Sequence, residues 1–175
     1  MKHLLIWLPL AIFAVFVAVV AFGLGGDRDD RITSKLVGKP VPTFSLPPMI
    51  PGRGTVESAT YAKGQPVILN IFGSWCVPCA AEAPQLLALK ARGIPIDAIA
   101  IRDTPSAVGA FLDRYGDPFR NIGSDPASQV QFALGSSGVP ETFIVDGKGV
   151  IRHQHIGPIT DQDLPGLIAA WEALQ

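Results

Sequence analysis

The hydrophobic positions of the chain fall into one long uninterrupted block and a series of short runs separated by polar segments. The block covers residues 4–26, which are 23 consecutive uncharged residues. As a helix rising 1.5 Å per residue, it would be roughly 34 Å long, enough to cross the hydrocarbon core of a bilayer. A cleavable signal peptide is the alternative, but its apolar core usually runs only about 7–15 residues. We therefore predict a transmembrane anchor at 4–26.

The charges beside this block predict its orientation. Lys2 and the terminal amine precede it, whereas residues 27–31 carry charges of both signs. Under the positive-inside rule, residues 1–3 lie in the cytoplasm and the remainder of the chain is exported.

Residues 27–54 contain five prolines, and because proline disfavours helix, they are predicted to form an extended linker and lead-in. A single domain then occupies 55–175.

Within this domain, short apolar runs alternate with helical patterns. Four segments have the character of strands: 66–72, 94–101, 141–145 and 150–155. Four segments have helical periodicity or capping: 76–91, 105–115, 125–134 and the segment that Thr160 caps. The sequence Asp-Gly-Lys-Gly at 146–149 is typical of a hairpin turn. The order predicts an α/β domain with a mixed central sheet flanked by helices.

Composition narrows the function classes. The chain has 14 Lys and Arg against 15 Asp and Glu and no basic block, so it lacks the charge that phosphate-backbone binding requires. A hydrophobic content of 48% excludes a disordered protein. We expect a monomer with no nucleic-acid partner.

The two cysteines carry the chemistry. Cys76 and Cys79 follow the first predicted core strand and begin a helix, where positions three apart lie about 5–6 Å from one another, within disulfide range. Amides at a helix start stabilise a thiolate, so Cys76 is the predicted nucleophile and Cys79 the resolving cysteine. Pro78 stiffens the turn, and Trp75 is placed to pack beside the sulfur. This pattern indicates thiol–disulfide exchange.

Two other readings of the cysteine pair stay open. A permanent disulfide suits an exported protein, although so small a loop restrains little of the unfolded chain. A metal site would need His153 and His155 near the cysteines. These histidines alternate along a predicted strand and share a face, which is more often a solvated sheet surface.

Three stretches of the sequence carry a family resemblance. They are residues 37–44, residues 64–79, and residues 138–152, the last of which contains Gly-Val-Pro-Glu-Thr-Phe. With this element order, the chain resembles a thioredoxin fold, and more narrowly the membrane-anchored thiol:disulfide interchange proteins of cytochrome c biogenesis, the DsbE/CcmG type.

The resemblance implies roles for further residues. Pro140 matches the family's cis-proline, a geometry that only X-Pro bonds adopt readily, and the Val139 backbone would pair with a substrate segment. Glu82 and Glu141 match the acidic positions typical of this family. Two structural matches complete the set: Asn70 replaces the buried acid of many thioredoxins, and Pro84 matches the proline that kinks the active-site helix.

The two glutamates suggest a direction for the reaction. A negative charge near a thiol disfavours its thiolate, whereas strongly oxidising proteins of this fold stabilise the thiolate and with it the reduced form. We therefore expect Glu82 and Glu141 to bias the cysteine pair toward donating electrons or to accept protons during exchange.

The resemblance also implies a location and partners. The expected protein is a single-pass inner-membrane reductase with its domain in the periplasm, acting on cysteine pairs of apocytochrome c or of a thiol-carrying assembly protein before haem attachment. A membrane electron donor of the DsbD or CcdA type would restore the dithiol. Neither a prosthetic group nor a metal is expected; the redox-active group is the Cys76–Cys79 pair.

Three alternatives remain at this stage. One is a general periplasmic disulfide reductase or isomerase of the TlpA type. Another is a copper-delivery protein of thioredoxin fold, although such proteins use Cys-x-x-x-Cys and lack a proline at the position of Pro140. The third is a membrane-tethered scaffold whose cysteines have no role.

Overall fold

The computed structural model describes residues 2–24 and 35–175. The chain divides into two compact units, Met1–Arg31 and Ile32–Gln175. The first contains helix α1 (Lys2–Leu24). Across 2–24 and 35–175, no helix meets the combined length and apolarity of a bilayer span. The anchor at 4–26 stays a prediction; residues 25 and 26, the charged residues 27–31 and the first part of the linker, up to residue 34, lie outside the described residues.

The second unit contains a two-stranded and a five-stranded sheet. The small sheet pairs β1 (Ser45–Leu46) with β2 (Val56–Glu57) in antiparallel fashion. The large sheet has the order β5-β4-β3-β6-β7. Its strands are β3 (Val67–Phe72), β4 (Ile96–Ile101), β5 (Asn121–Asp125), β6 (Glu141–Val145) and β7 (Ile151–Ile156).

Parallel and antiparallel pairing occur in the same sheet. Strand β4 runs parallel to both β3 and β5, whereas β6 runs antiparallel to both β3 and β7. The helices of this unit are α2 (Val77–Ala81), α3 (Ala83–Ala91), α4 (Pro105–Tyr115), α5 (Gln129–Ala133) and α6 (Leu164–Glu172). The predicted mixed sheet flanked by helices is confirmed.

The sheet separates two hydrophobic clusters. Ile68 and Phe72 of β3 point to the face covered by α3, α4 and α6, whose cluster also contains both cysteines. The intervening residues Leu69 and Ile71 point to the opposite face, which α5 covers together with the segment before β3. This alternation follows from the two-residue period of a strand. Because β3 is buried on both faces, its sequence is an apolar run interrupted only by Asn70.

The prolines of the lead-in do not make it a free linker. Leu46 and Met49 are buried, and Met49 N–H donates to the Ile122 carbonyl in β5 at 2.7 Å. An isolated bridge joins Pro48 to Gly123, and another joins Pro40 to Val150. Residues 35–54 therefore pack onto the sheet as part of the same compact unit.

Two helices begin three or four residues later than predicted. The helix expected from Asp125 begins only at Gln129, because Asp125 ends strand β5, which the sequence pattern did not predict. Its carboxylate accepts N–H bonds from Gln129, Val130 and Gln131, so it caps α5 from outside the helix. The last helix begins at Leu164 rather than directly after Thr160.

The turn between β6 and β7 depends on a close backbone approach at Gly147. A Cβ there would lie 2.4 Å from the carbonyl carbon of Gly64, and Gly64 N–H donates to the Gly147 carbonyl.

We expect Gly147→Ala to lower the free energy of unfolding by about 1–3 kcal/mol through overpacking, measured by urea unfolding of the full chain in detergent. The control is Gly109→Ala in α4, where a Cβ meets nothing within 4 Å; it should stabilise by about 0.5–1 kcal/mol. Equal stability of the Gly147→Ala variant and the unaltered protein would contradict this packing.

Candidate active site

The two cysteines lie just beyond the carboxyl end of the central strand β3. A disulfide joins Cys76 and Cys79, with their Cα atoms 5.3 Å apart. Cys76 is the N-cap of α2 in extended conformation, and its sulfur accepts the Cys79 N–H at 3.2 Å. Both residues are buried, at 5% and 2% exposure. In the reduced protein, this amide is a ready donor to a Cys76 thiolate.

Two prolines set the path of the helix that carries the cysteines. Pro78 lies in the first turn of α2, where its missing N–H leaves no bond unmade. The predicted helix 76–91 is divided at Glu82, because Pro84 in the first turn of α3 has no N–H to continue the hydrogen-bond pattern of α2. The Glu82 side chain at this break is fully buried.

Trp75 directly precedes Cys76 in the chain. Its ring packs on Gly73, where a Cβ would lie only 2.7 Å from ring atom Cε2. The indole Nε1–H donates to the Ile101 carbonyl at 3.4 Å. Trp75 and Val77 are 53% and 80% exposed, so apolar surface flanks the cysteines.

The loop before β6 reaches the cluster that contains the cysteines. The Val139–Pro140 peptide bond is cis. Pro140 is buried, and its carbonyl accepts the Gly157 N–H at 3.0 Å. Val139 is partly buried and packs against both hydrophobic clusters.

Glu82 is a fully buried carboxylate below the cysteines. Its Oε1 accepts from Asn70 Nδ2 at 2.9 Å, and its Oε2 accepts the Ile159 N–H at 3.0 Å. The Asn70 amide also donates to Thr142 Oγ1 at 3.0 Å. Burial raises the pKa of Glu82 to about 7, although the Ile159 and Asn70 hydrogen bonds act in the opposite direction. Cys79, Glu82 and Asn70 line a narrow cleft that is too small to admit a water molecule.

Glu141 is also fully buried, but it lies on the other face of the sheet. It alternates along β6 with Thr142, which faces Asn70. Its Oε2 accepts from the Ser136 hydroxyl at 2.6 Å and from Ser137 N–H at 3.0 Å, and its Oε1 accepts from the Gln154 amide. Glu141 therefore holds the loop that leads to the cis-proline.

Sequence reasoning named Asn70 near the site but missed the other hydrogen-bond partners of both glutamates. Ser136 and Ser137 are ordinary loop residues by pattern, and Ile159 contributes only its backbone N–H, which leaves no trace in a sequence. Thr142 follows Glu141 directly, so the strand alternation puts the two residues on opposite faces of the sheet. The pairing of Thr142 with Asn70 depends on the strand register, which the sequence does not show.

The histidines considered as metal ligands do share a sheet face. In β7, His153 is opposite Ile144 and His155 is opposite Thr142. His155 Nε2 lies 3.4 Å from the Pro158 carbonyl oxygen. In the described ranges, no group of three or more His, Cys, Asp or Glu side chains is arranged to hold a metal ion.

Comparison with known proteins places this geometry in a family. Residues 36–170 match the Redoxin family model. The chain is 35% identical over 156 residues to a thiol:disulfide interchange protein DsbE homolog of Paracoccus denitrificans, covering 89% of this chain and 86% of that protein. It is 35% identical over 157 residues to the thiol:disulfide interchange protein HelX of Rhodobacter capsulatus, covering 90% and 89%. The chain belongs to the DsbE-type thiol:disulfide interchange proteins of the Redoxin family.

Solved structures agree with this assignment. A crystal structure of a DsbE thiol:disulfide interchange protein from Chlorobium tepidum superposes with a TM-score of 0.66 at 26% identity, covering 79% of this chain and 96% of that one. The resemblance inferred from the sequence is thus confirmed, as are the thioredoxin-like fold and thiol–disulfide oxidoreductase activity.

The raised pKa of Glu82 makes stability depend on pH. Its carboxyl binds a proton more tightly in the folded protein than in the unfolded chain, where its pKa has the ordinary value of 4.5. The contribution of Glu82 to the free energy of unfolding is therefore fully present below about pH 4.5. It is lost as pH rises through about 7, and the loss is at most about 3 kcal/mol. We expect Glu82→Gln to remove this loss in the oxidised protein, measured as the difference in unfolding free energy between pH 5 and pH 8. Comparing two pH values cancels any constant cost of the altered hydrogen bonds.

The matched control is Glu172→Gln, which changes an exposed glutamate of α6. It should leave the pH dependence of stability unchanged. If Glu82→Gln and the unaltered protein lose the same free energy between pH 5 and pH 8, Glu82 does not titrate in this range.

Proposed function

We propose that this protein is a membrane-anchored reductase that delivers electrons to cysteine pairs of apocytochrome c, or of a thiol-carrying assembly protein, before haem attachment. The observation that carries the proposal is the Cys76–Cys79 disulfide at the start of α2, next to a buried glutamate whose pKa is close to neutral. Relatives named DsbE and HelX support the class of reaction.

The reaction is an exchange of disulfide bonds. The Cys76 thiolate attacks one sulfur of the substrate disulfide, forms a mixed disulfide and releases the other substrate sulfur as a thiolate. The Cys79 thiolate then attacks the Cys76 sulfur, which closes the intramolecular disulfide and releases the second substrate thiolate. Two electrons pass to the substrate, and a membrane donor of the DsbD or CcdA type must return them.

Glu82 supplies a proton acceptor for the second step. The thiol of Cys79 must lose its proton before it attacks, and a carboxyl with a pKa of about 7 is able to exchange protons at neutral pH. Glu82 and Cys79 line the same cleft. When ionised, Glu82 also disfavours a nearby thiolate, which favours release of electrons to the substrate.

The substrate contacts form around the disulfide. Trp75 provides exposed apolar surface on one side. The loop that ends in Val139 and Pro140 is fixed by Glu141 and provides backbone for strand-like pairing with an extended substrate segment. Glu141 thereby positions this loop; the pKa tuning or proton transfer expected from the sequence would be a separate role, which these hydrogen bonds do not supply.

The proposed membrane anchor rests on the block of uncharged, mostly apolar residues at 4–26. Large hydrophobic side chains in this block, such as Trp7 and Phe13, are 65% and 64% exposed, and exposed apolar surface of this kind marks a contact with lipid or protein. We infer a single-pass inner-membrane protein, acting as a monomer with its C-terminal domain in the periplasm. Tethering raises its effective concentration near a membrane donor.

Trapping tests the partners. With Cys79→Ser, the mixed disulfide on Cys76 cannot be resolved, so expression in the native host should accumulate covalent complexes that a reductant releases. Mass spectrometry should identify apocytochrome c or an assembly protein among them. The matched control, Cys76→Ser, should trap far less. Recovery of many unrelated exported proteins would instead support a general reductase of the TlpA type.

A redox titration tests the role of the glutamates. Replacing both by Gln, in a Glu82→Gln and Glu141→Gln double variant, removes the charges that disfavour the thiolates, so the pair should become more oxidising by about 30 mV or more. The potential is measured by equilibration with glutathione, with Glu172→Gln as control. A double variant no more oxidising than the unaltered protein refutes the electrostatic account.

A further inference from the structure

The loop that precedes the redox pair is held by a carboxylate from a neighbouring loop. Asp103 lies between β4 and α4. Its Oδ2 accepts the Ser74 N–H at 2.5 Å, and its Oδ1 accepts the Ser74 hydroxyl at 2.9 Å. Ser74 is separated from Cys76 by Trp75 alone, so both bonds restrain the backbone that leads into the nucleophile.

Asp103 is itself held in place. Its Oδ1 also accepts the Thr104 N–H at 2.8 Å. The preceding residue, Arg102, has a φ of 48°, an uncommon conformation for a residue other than glycine. Arg102 N–H donates to the Asp125 carbonyl at 3.3 Å, and its Nε donates to Ser128 Oγ at 3.1 Å. Strained backbone of this kind persists where the surroundings fix it, so Asp103 projects from a rigid support.

Other contacts shape the same loop without a charge. Trp75 Nε1–H donates to the Ile101 carbonyl, and Cys76 N–H donates to the Gly73 carbonyl at 3.1 Å. These contacts fix the ends of the loop, whereas Asp103 fixes its middle through Ser74.

We propose that Asp103 is a positioning residue for thiol–disulfide exchange, which acts through Ser74 to aim the Cys76 sulfur at the Cys79 N–H. In the oxidised protein, this N–H already points at the sulfur, at 3.2 Å. In the reduced protein, the same bond stabilises the reactive thiolate. A loop released from Asp103 samples orientations in which the bond is lost, and the thiolate then forms only at higher pH.

The sign of the effect separates position from charge. Loss of positioning moves the pH midpoint of Cys76 reactivity upward. Loss of a nearby negative charge moves it downward. The charged groups at this end of the sheet include Arg102, Glu82 and Glu141 as well as Asp103. Ser74→Ala changes none of these charges, so a shift in that variant reports position alone.

The experiment measures the rate at which iodoacetamide alkylates Cys76 as a function of pH, in the reduced full-length protein in detergent, with the site assigned by mass spectrometry. We expect Asp103→Ala to raise the midpoint by about one pH unit, which slows alkylation about tenfold below the midpoint. Ser74→Ala should raise it less, because the backbone bond to Asp103 remains. The double variant should shift no further than Asp103→Ala, since the two residues act through one contact.

The control is Asp113→Asn, which removes an exposed acid from α4 and should leave the midpoint unchanged. An unchanged midpoint in Asp103→Ala, even with a lower unfolding temperature, would make Asp103 merely structural and overturn the proposal. A downward shift, or additive shifts in the double variant, would overturn it as well. Because alkylation is measured directly, the result does not depend on which substrate the protein reduces.

Discussion

A carboxylate without solvent must find hydrogen-bond donors, and in this protein that requirement joins the parts of the active site. An ionised group buried without partners costs several kcal/mol. Glu82 lies at the junction of α2 and α3, and its donors come from Asn70 in β3 and from Ile159, after β7. Segments far apart in sequence are thereby fixed around Cys79. The same burial that demands these donors raises the pKa of Glu82 to about 7, so one constraint supplies both structure and chemistry.

The two glutamates lie on opposite faces of the sheet. Glu82 shares a face with the cysteines and a cleft with Cys79, which suits proton exchange with the resolving thiol. Glu141 faces the other way, and its hydrogen bonds to Ser136 and Ser137 hold the loop before the cis-proline. The two glutamates therefore lie in different environments. An account in which both act through their negative charge on the cysteines describes Glu82 better than Glu141.

The sequence predicted those features whose cause is local. The apolar run of β3 and the cap Thr104 with Pro105 arise from neighbouring residues, and the structure contains both. The family resemblance implied only a kink at Pro84, and the structure divides the predicted helix 76–91 there. The cysteine pair was equally predictable from the sequence, since its spacing and its place after β3 are local properties.

Features that depend on tertiary contact were not predictable. Strand β5 has the sequence Asn-Ile-Gly-Ser-Asp, with one large apolar side chain, and it forms because β4 on one side and the lead-in on the other provide its hydrogen bonds. Asp125 appeared to start a helix because Asp before Pro commonly does so; it caps α5 from the end of that strand instead. The contacts of Asp103 and Glu141 likewise depend on which loops the fold brings together.

The lead-in has a consequence for how the protein avoids self-association. Exposed edges of a sheet are templates for pairing with other chains, and the outer strands here are β5 and β7. The lead-in bridges Gly123 in β5 through Pro48 and bonds to Ile151 at the start of β7 through Gly38 and Lys39. One proline-rich segment thus occupies part of both margins of the sheet. Where the lead-in lies, the two edge strands are closed to pairing with a strand of another chain, which leaves less of the sheet open to aggregation.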